Sequence, residues 1–124
     1  MRTSKRKRSK YNVDLSRLGK LARTCDGIVF DSKAERDYYA QLMLLLKTRT
    51  ILGVDRQVKY ELRVEGKLIC KHIVDFVVID RGGRSVHEVK GMETAVWRLK
   101  KKLFEALYPA VPYIVIKPVR SNPK

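Results

Sequence analysis

From residue 33 onward the apolar positions keep one of two periods, and the switch between them outlines the elements. Over 33–47, Ala34, Tyr38, Gln41, Leu42, Leu45 and Leu46 form one helical stripe in which only Gln41 is polar, while Arg36, Asp37 and Lys47 fall outside it. That spacing predicts a helix from Lys33 to Lys47 with a Leu-rich core face. Arg56 to Val64 alternates with a period of two, as a strand does, and Glu65-Gly66 supplies a turn. A long apolar strand from Leu68 to Ile79 and a shorter one from Arg84 to Lys90 follow, closed by Gly91. Thr94 to Tyr108 reads as a second helix with Val96, Leu99, Leu103, Ala106 and Leu107 inward and Arg98, Lys101 and Lys102 outward; Lys100 sits at the border beside Trp97 and Phe104. Pro109 and Pro112 stop that helix, and Tyr113-Ile114-Val115-Ile116 forms a last strand. The order α-β-β-β-α-β defines an α/β fold, a mixed central sheet flanked by helices, and no internal repeat is visible.

Inside the long strand lies one acid. Asp75 interrupts Ile73-Val74-Asp75-Phe76-Val77-Val78-Ile79, and Glu88-Val89-Lys90 follows on the next strand. Arg81-Gly82-Gly83-Arg84 is a hairpin signal, since glycines supply the positive φ angles of tight hairpin turns. With Gly82-Gly83 as the turn, facing residues have numbers that sum to 165, which sets Asp75 opposite Lys90 and Val77 opposite Glu88. Alternation then puts Asp75, Glu88 and Lys90 on one face, and Phe76, Val78, His87 and Val89 on the other. A carboxylate in so apolar a strand is costly unless paired or bound to a cation. An Asp75–Lys90 ion pair would answer that cost with Glu88 merely exposed, yet a pair needs one carboxylate and here there are two. Two hard oxygen donors side by side repel each other until a divalent cation lies between them, which points to Mg²⁺ or Mn²⁺.

The ordered set Asp75-x12-Glu88-Val89-Lys90, preceded by Phe30-Asp31-Ser32-Lys33-Ala34-Glu35, resembles the PD-(D/E)XK nuclease superfamily, and within it the small phage-encoded junction-resolving endonucleases. The likeness covers roughly residues 28–116, with Val74 where the motif has proline. It implies a restriction-endonuclease-like core of the order read above. It further implies that Asp75 and Glu88 ligate metal, that a glutamate on the first helix, Glu35 here, completes the site, and that Lys90 orients or activates the attacking water. Ser32-Lys33-Ala34-Glu35 is equally a capping box, in which the serine caps the helix and the glutamate reaches back to the serine amide. Both readings of Glu35 stand at this point.

Charge changes the picture of the front of the chain. The net charge is +15 over 124 residues, and the first 24 carry nine Lys or Arg against the single Asp14. Arg2, Lys5, Arg6, Lys7, Arg8 and Lys10 have no apolar residues to fold around, so residues 1–24 read as a basic, flexible arm for a polyanion and 25–124 as one nuclease domain. A length of 124 residues with 44% hydrophobic content supports one core. Without an acylation signal or an apolar helix beside the arm, nucleic acid is a better partner than a membrane, although a nuclear-localisation reading fits the same block. Arg98, Lys100, Lys101 and Lys102, balanced only by Glu105 and close after Lys90, extend the expected DNA contact to the second helix. Such runs are also commonly plain solvated faces, and Trp97 is more simply packing than a base-stacking platform.

Cys25 and Cys70 are too few and too far apart for a zinc site and read as reduced thiols. His72 and His87 belong to no His-metal motif and face away from the acids, so general-base roles are not assigned to them. No signal peptide and no run of eighteen apolar residues is present, which leads to the expectation of an intracellular protein, in the cytoplasm of the bacterial host that the resemblance implies. The expected chemistry is metal-assisted phosphodiester hydrolysis, with Glu35, Asp75, Glu88 and the Val89 carbonyl holding the cation. The resemblance implies branched DNA or Holliday junctions as substrate and a homodimer as the working form. Competing readings are a sequence-specific or broadly acting phage or transposase-type DNA endonuclease and a non-catalytic DNA-binding module with structural acids.

Overall fold

A computed structural model describes residues 16–118. Compactness divides the chain between Leu44 and Leu45, inside a helix, where one domain from residue 25 onward was expected.

The first unit opens with α1 (Arg17–Ala22), capped by Ser16, whose hydroxyl accepts the Gly19 N–H at 3.2 Å. This short helix lies in the stretch read as an arm; residues 1–15, with Arg6, Lys7, Arg8 and Lys10, fall outside the described residues. Strands β1 (Thr24–Cys25) and β2 (Ile28–Val29) pair around Asp26-Gly27, whose φ angles of 52° and 77° are those of a primed hairpin turn. Arg23 closes this corner, because its Nε–H donates to the Phe30 carbonyl at 2.7 Å. Helix α2 (Lys33–Lys47) has the bounds the periodicity predicts. Its buried residues are Glu35, Tyr39 and Leu42, while Leu45 is exposed, so the inward stripe is rotated by about one residue from the Tyr38–Leu45 reading. The aromatic pair explains the rotation: Tyr39 packs on Phe30 with ring centroids 4.9 Å apart.

In the second unit, β3 (Gly53–Val64), β4 (Lys67–Asp80) and β5 (Gly83–Val89) run antiparallel, α3 (Ala95–Leu107) crosses over, and β6 (Tyr113–Ile116) lies parallel to β5. The sheet order is β3-β4-β5-β6, a mixed sheet within an α/β fold. Glu65-Gly66 turns β3 into β4 with φ of 50° and 80°, as the sequence signal requires. Thr94 caps α3, accepting the Trp97 N–H at 3.1 Å.

The core of this unit joins Leu62, Val74, Val77 and Val86 of the sheet to Phe104 of α3, with Leu103, Leu107, Tyr60 and Tyr113 packed around them. Phe104 meets Tyr60 edge-on at 4.9 Å and Tyr113 at 5.3 Å. Burying this phenylalanine makes it worth about 3–5 kcal/mol against alanine. The inward face of α3 is therefore set by Trp97 and Phe104, both buried, and not by Val96 and Leu99, which are 64% and 67% exposed. Large rings with more area to hide displace the aliphatic stripe that periodicity alone selects.

Two features of the β4–β5 hairpin correct the expected register. Observed partners are Phe76↔His87, Val77↔Val86, Val78↔Ser85 and Asp80↔Gly83, so facing residues sum to 163. The Asp80 carboxylate accepts the Gly82 N–H at 2.8 Å and centres the turn on Arg81-Gly82; of the two glycines only Gly83 has a left-handed φ, 126°. Because the displacement is even, the face of each side chain survives it. The other correction is a break in alternation. Val74 and Val77 share one core cluster although their numbers differ by an odd count. Asp75 lies between them, opposite Gln57, and this facing pair is missing from a ladder that holds Arg56↔Phe76 and Val58↔Val74 on either side. Gln57 has φ 51°, so the irregularity is in the backbone and lies at the acid.

Candidate active site

Past Phe76↔His87 the β4–β5 ladder ends, and the next level would set Asp75 against Glu88. There a carboxylate takes over from the backbone: Asp75 Oδ2 accepts the Val89 N–H at 2.9 Å. Asp75 is thereby fixed at the point where the strands part, within one residue of Glu88. The two acids are brought together as the sequence suggests, at one pair of strand positions and not diagonally.

Glu88 is 5% exposed, which a lone carboxylate could not sustain. Its Oε2 accepts the Trp97 Nε1–H at 2.7 Å and the Tyr113 hydroxyl. Tyr113 lies within 2.8 Å of His72 Nε2. Since the single hydroxyl proton goes to Glu88, the phenol oxygen accepts from His72, which fixes the Nε2–H tautomer of a neutral imidazole. The chain His72→Tyr113→Glu88 thus joins β4, β6 and β5. Burial, the hydrogen bond to Glu88 and the charges of Glu88 and Asp75 drive the Tyr113 hydroxyl far above the usual tyrosine range. Burial also lowers His72 below its ordinary value; Glu88 opposes this, while Lys100 and Lys90 add to it.

Lys90 holds its ammonium 5.2 Å from the Trp97 ring centroid. That contact, with the hydrogen bond to Glu88, makes buried Trp97 a packing and anchoring residue and not a stacking platform. Glu88, Lys90, Trp97 and His72 line one side of a cleft of about 310 Å³.

Among the described residues no three His, Cys, Asp or Glu side chains gather as a metal cage. What the second unit offers is two carboxylates beside a strand end, with both hydrogen bonds to Glu88 falling on Oε2. This donor set fits Mg²⁺ or Mn²⁺, which bind through one or two carboxylates and take their remaining oxygens from water and phosphate. Glu35 belongs to the first unit. It is buried, and Ser32 Oγ accepts its N–H at 3.1 Å, so the serine half of the capping box is formed.

The basic residues of α3 separate by environment. Arg98 is exposed and donates to the Glu93 carbonyl at 3.0 Å; Lys102 is exposed. Lys101, expected on the outward face, instead lies 5.3 Å over the Tyr113 ring and pairs with Glu105 at 3.0 Å. Lys100 donates to the Lys71 carbonyl at 3.2 Å. His87 turns away from the acids towards Ser85 Oγ, 2.9 Å from its Nε2, as alternation requires.

A family model described as a protein of unknown function, DUF1064, matches residues 8–121. The chain belongs to the DUF1064 family. No curated protein and no solved structure matches it.

Three residues of this DUF1064 site escape a reading of the sequence. Tyr113 and Trp97 look like core, and the one available signal is that a buried phenol or indole must find a polar partner. His72 is placed by alternation on the face away from the acid. The break at Asp75 and the reach of Tyr113 nonetheless connect it to Glu88.

Proposed function

We propose that the chain is a metal-dependent DNA endonuclease of the PD-(D/E)XK type that hydrolyses phosphodiester bonds in branched DNA such as Holliday junctions, acting as a homodimer in phage recombination or replication. The observation that carries this reading is the meeting of Asp75 and Glu88 where β4 and β5 part, with Lys90 directly after the end of β5. Asp75, Glu88 and the Val89 carbonyl would hold Mg²⁺ or Mn²⁺, and the resemblance adds Glu35. The bound cation supplies Lewis acidity to the phosphate and lowers the pKa of water. Trp97 and Tyr113 keep Glu88 Oε2 in place, leaving Oε1 as its atom for the cation. Lys90 directs its charge along the Trp97 face, suited to orient the attacking water and to meet negative charge as it develops. The basic residues at the front of the chain and on α3, Arg98, Lys100 and Lys102, suit contact with phosphates.

A second reading has its own support. The hydrogen bonds that satisfy Glu88 also suit a structural acid, as in a DNA-binding module without chemistry. Cleavage of four-way, flap and linear duplex DNA, with Mg²⁺ and with EDTA, separates the two. The nuclease reading expects metal-dependent cleavage that favours branched DNA and falls at least ~10³-fold in Asp75→Asn, Glu88→Gln and Lys90→Ala, with DNA affinity nearly kept. Full cleavage by Asp75→Asn would remove the site assignment. Tight binding without cleavage in any metal would leave the binding module.

A further inference from the structure

Strand β4 outruns its neighbour. It spans Lys67–Asp80, but β5 pairs with it only from Phe76 to Asp80, so the side of β4 that faces β5 is open beside Lys71 and Ile73. Which backbone groups line the opening follows from the side chains. Along a strand the N–H and C=O of one residue share an edge, and successive residues alternate both in edge and in face. The Leu52 N–H donates to the Ile79 carbonyl at 2.7 Å, so Ile79 and, with it, Val77 turn their backbone towards β3. Val77 lies on the α3 face together with Val74, and His72 meets Phe104 on the same face. The residues of β4 on that face therefore bond to β3. Lys71 and Ile73 carry their side chains on the opposite face and aim N–H and C=O at the opening. The Lys100 ammonium agrees with this, since it reaches the Lys71 carbonyl from α3 at 3.2 Å.

This open edge borders the cleft that Glu88, Lys90 and Lys100 also line. Among the described residues no other backbone pairs with Lys71 or Ile73 on this side. Their donors and acceptors recur at about 7 Å, two strand rises. A phosphate chain supplies acceptors only and leaves the Ile73 carbonyl unmatched. A base edge supplies both kinds of group but spans one residue. An extended peptide matches the whole row, because it carries the same groups at the same period. Charge selects among peptides. Lys90 rests on the Trp97 ring and Lys100 on a carbonyl, so neutral groups position both cations on the α3 side. Glu88, the acid of this cleft, is engaged at Oε2 by Trp97 and Tyr113. On the opposite face Lys71 is exposed, and Glu61 across from it pairs with Arg63. A strand added here sends its side chains alternately to the two faces and meets a cation on each.

We propose that the open edge of β4 at Lys71 and Ile73 docks an extended acidic peptide of a partner protein by strand addition. The inference goes beyond the nuclease reading, since it calls on neither metal nor DNA. Where both hold, the docked strand shares the cleft with Glu88 and Lys90, and peptide and DNA compete for it.

Binding in EDTA, where no metal chemistry takes place, tests the edge apart from the nuclease reading. The probe is a short fluorescein-labelled peptide that alternates glutamate and valine, beside a copy N-methylated at every amide. Fluorescence anisotropy is expected to show binding of the first and at least about fivefold weaker binding of the copy, which keeps each charge but cannot pair. Amide hydrogen exchange of nitrogen-15-labelled protein locates the contact. In the free protein the Lys71 and Ile73 amides exchange faster than those of His72 and Val74, and saturating peptide is expected to slow the first two at least about tenfold. Ile73→Pro removes the outward N–H and leaves the bonds to β3, since proline is tolerated at a strand edge, whereas Ile73→Ala keeps that N–H. The proline variant is expected to weaken the peptide at least about fivefold and the alanine variant to retain it, with the fold verified by far-ultraviolet circular dichroism. Absence of binding, or equal binding of the two peptides, would overturn the proposal. Unprotected Lys71 and Ile73 amides in the bound state would overturn it too. Oligothymidylate that protects these amides where the peptide does not would assign the edge to nucleic acid instead. Wild-type protein that binds the peptide by strand pairing but cleaves nothing in Mg²⁺ would refute the nuclease reading and leave the docking edge standing.

Discussion

Removing one oxygen atom tests the hydrogen-bonded chain through the sheet. Tyr113→Phe keeps the ring that meets Phe104 at 5.3 Å and deletes the hydroxyl between His72 and Glu88. A hydrogen bond to a charged group contributes about 1.5–3 kcal/mol, and a buried donor left without an acceptor costs about 1–3 kcal/mol more. The cleft that Glu88 and His72 line can admit water to both, which returns part of the second quantity. The expected loss is therefore about 2–4 kcal/mol. Urea unfolding in EDTA at pH 7.5 measures it, with the midpoint falling at unchanged slope. Comparison with His72→Gln and the double variant isolates the coupling, expected at about 1 kcal/mol or more between groups in one network. A loss below about 0.5 kcal/mol, the size of a surface substitution, would show that Glu88 is not held through Tyr113. Trp97 would then be its sole anchor.

Three further outcomes follow from other parts of the molecule. Burial lowers His72 and His87 below the ordinary value near 6.5, so the unfolded chain takes up protons first and stability, full above that value, is lost as pH falls through it; unfolding in EDTA between pH 8 and 5.5 checks this, and a flat profile would refute it. If Glu35 ligates metal, Glu35→Gln abolishes cleavage with the fold intact, whereas Ser32→Ala costs about 1 kcal/mol of stability through the lost cap; full activity in Glu35→Gln would assign that residue to capping alone. Deleting residues 1–10, which carry six Lys or Arg, weakens binding to every DNA alike and shallows the salt slope by up to about 5; an unchanged slope would show that this segment does not bind DNA.

The legible parts of the fold are those governed by local rules. Helix α2 and strand β6 have the limits read from the sequence, because periodicity, capping and proline act within a few residues. The β1–β2 hairpin was equally open to reading, since Asp26-Gly27 is a strong turn signal, but strands of two residues leave no period to notice. The face of α2 lies one position from the stripe that periodicity selects, and on α3 Leu103 and Leu107 face the core as that stripe requires while Val96, Leu99 and Ala106 do not, for a different reason. A stripe of Leu and Val weighs each residue alike, while the fold buries Tyr39, Trp97 and Phe104 first. Ring area and the need of the indole N–H for an acceptor are decided by neighbours that local spacing does not name.

The acids show the same division more sharply. Their type and order were visible, and the even displacement of the hairpin left Asp75 and Glu88 together even though the turn was misplaced. What alternation could not supply is the backbone irregularity at Asp75, opposite Gln57, where the ladder gives up a pair and a carboxylate receives the Val89 N–H. A regular strand at this point would pair Asp75 with its neighbours and send alternate residues to opposite faces without exception. Breaking the rule at the acid puts Val74 and Val77 into one core and frees the strand ends to diverge. The ladder gives up a pair where Asp75 and Glu88 meet, as it also shifts register between Leu62 and Arg63, and the hydrogen bonds that hold Glu88, from Trp97 and Tyr113, come from α3 and β6, later in the chain. The part of the site that escaped the sequence is thus the part that depends on long-range packing, and it is also the part that fixes the direction in which Glu88 presents its remaining oxygen.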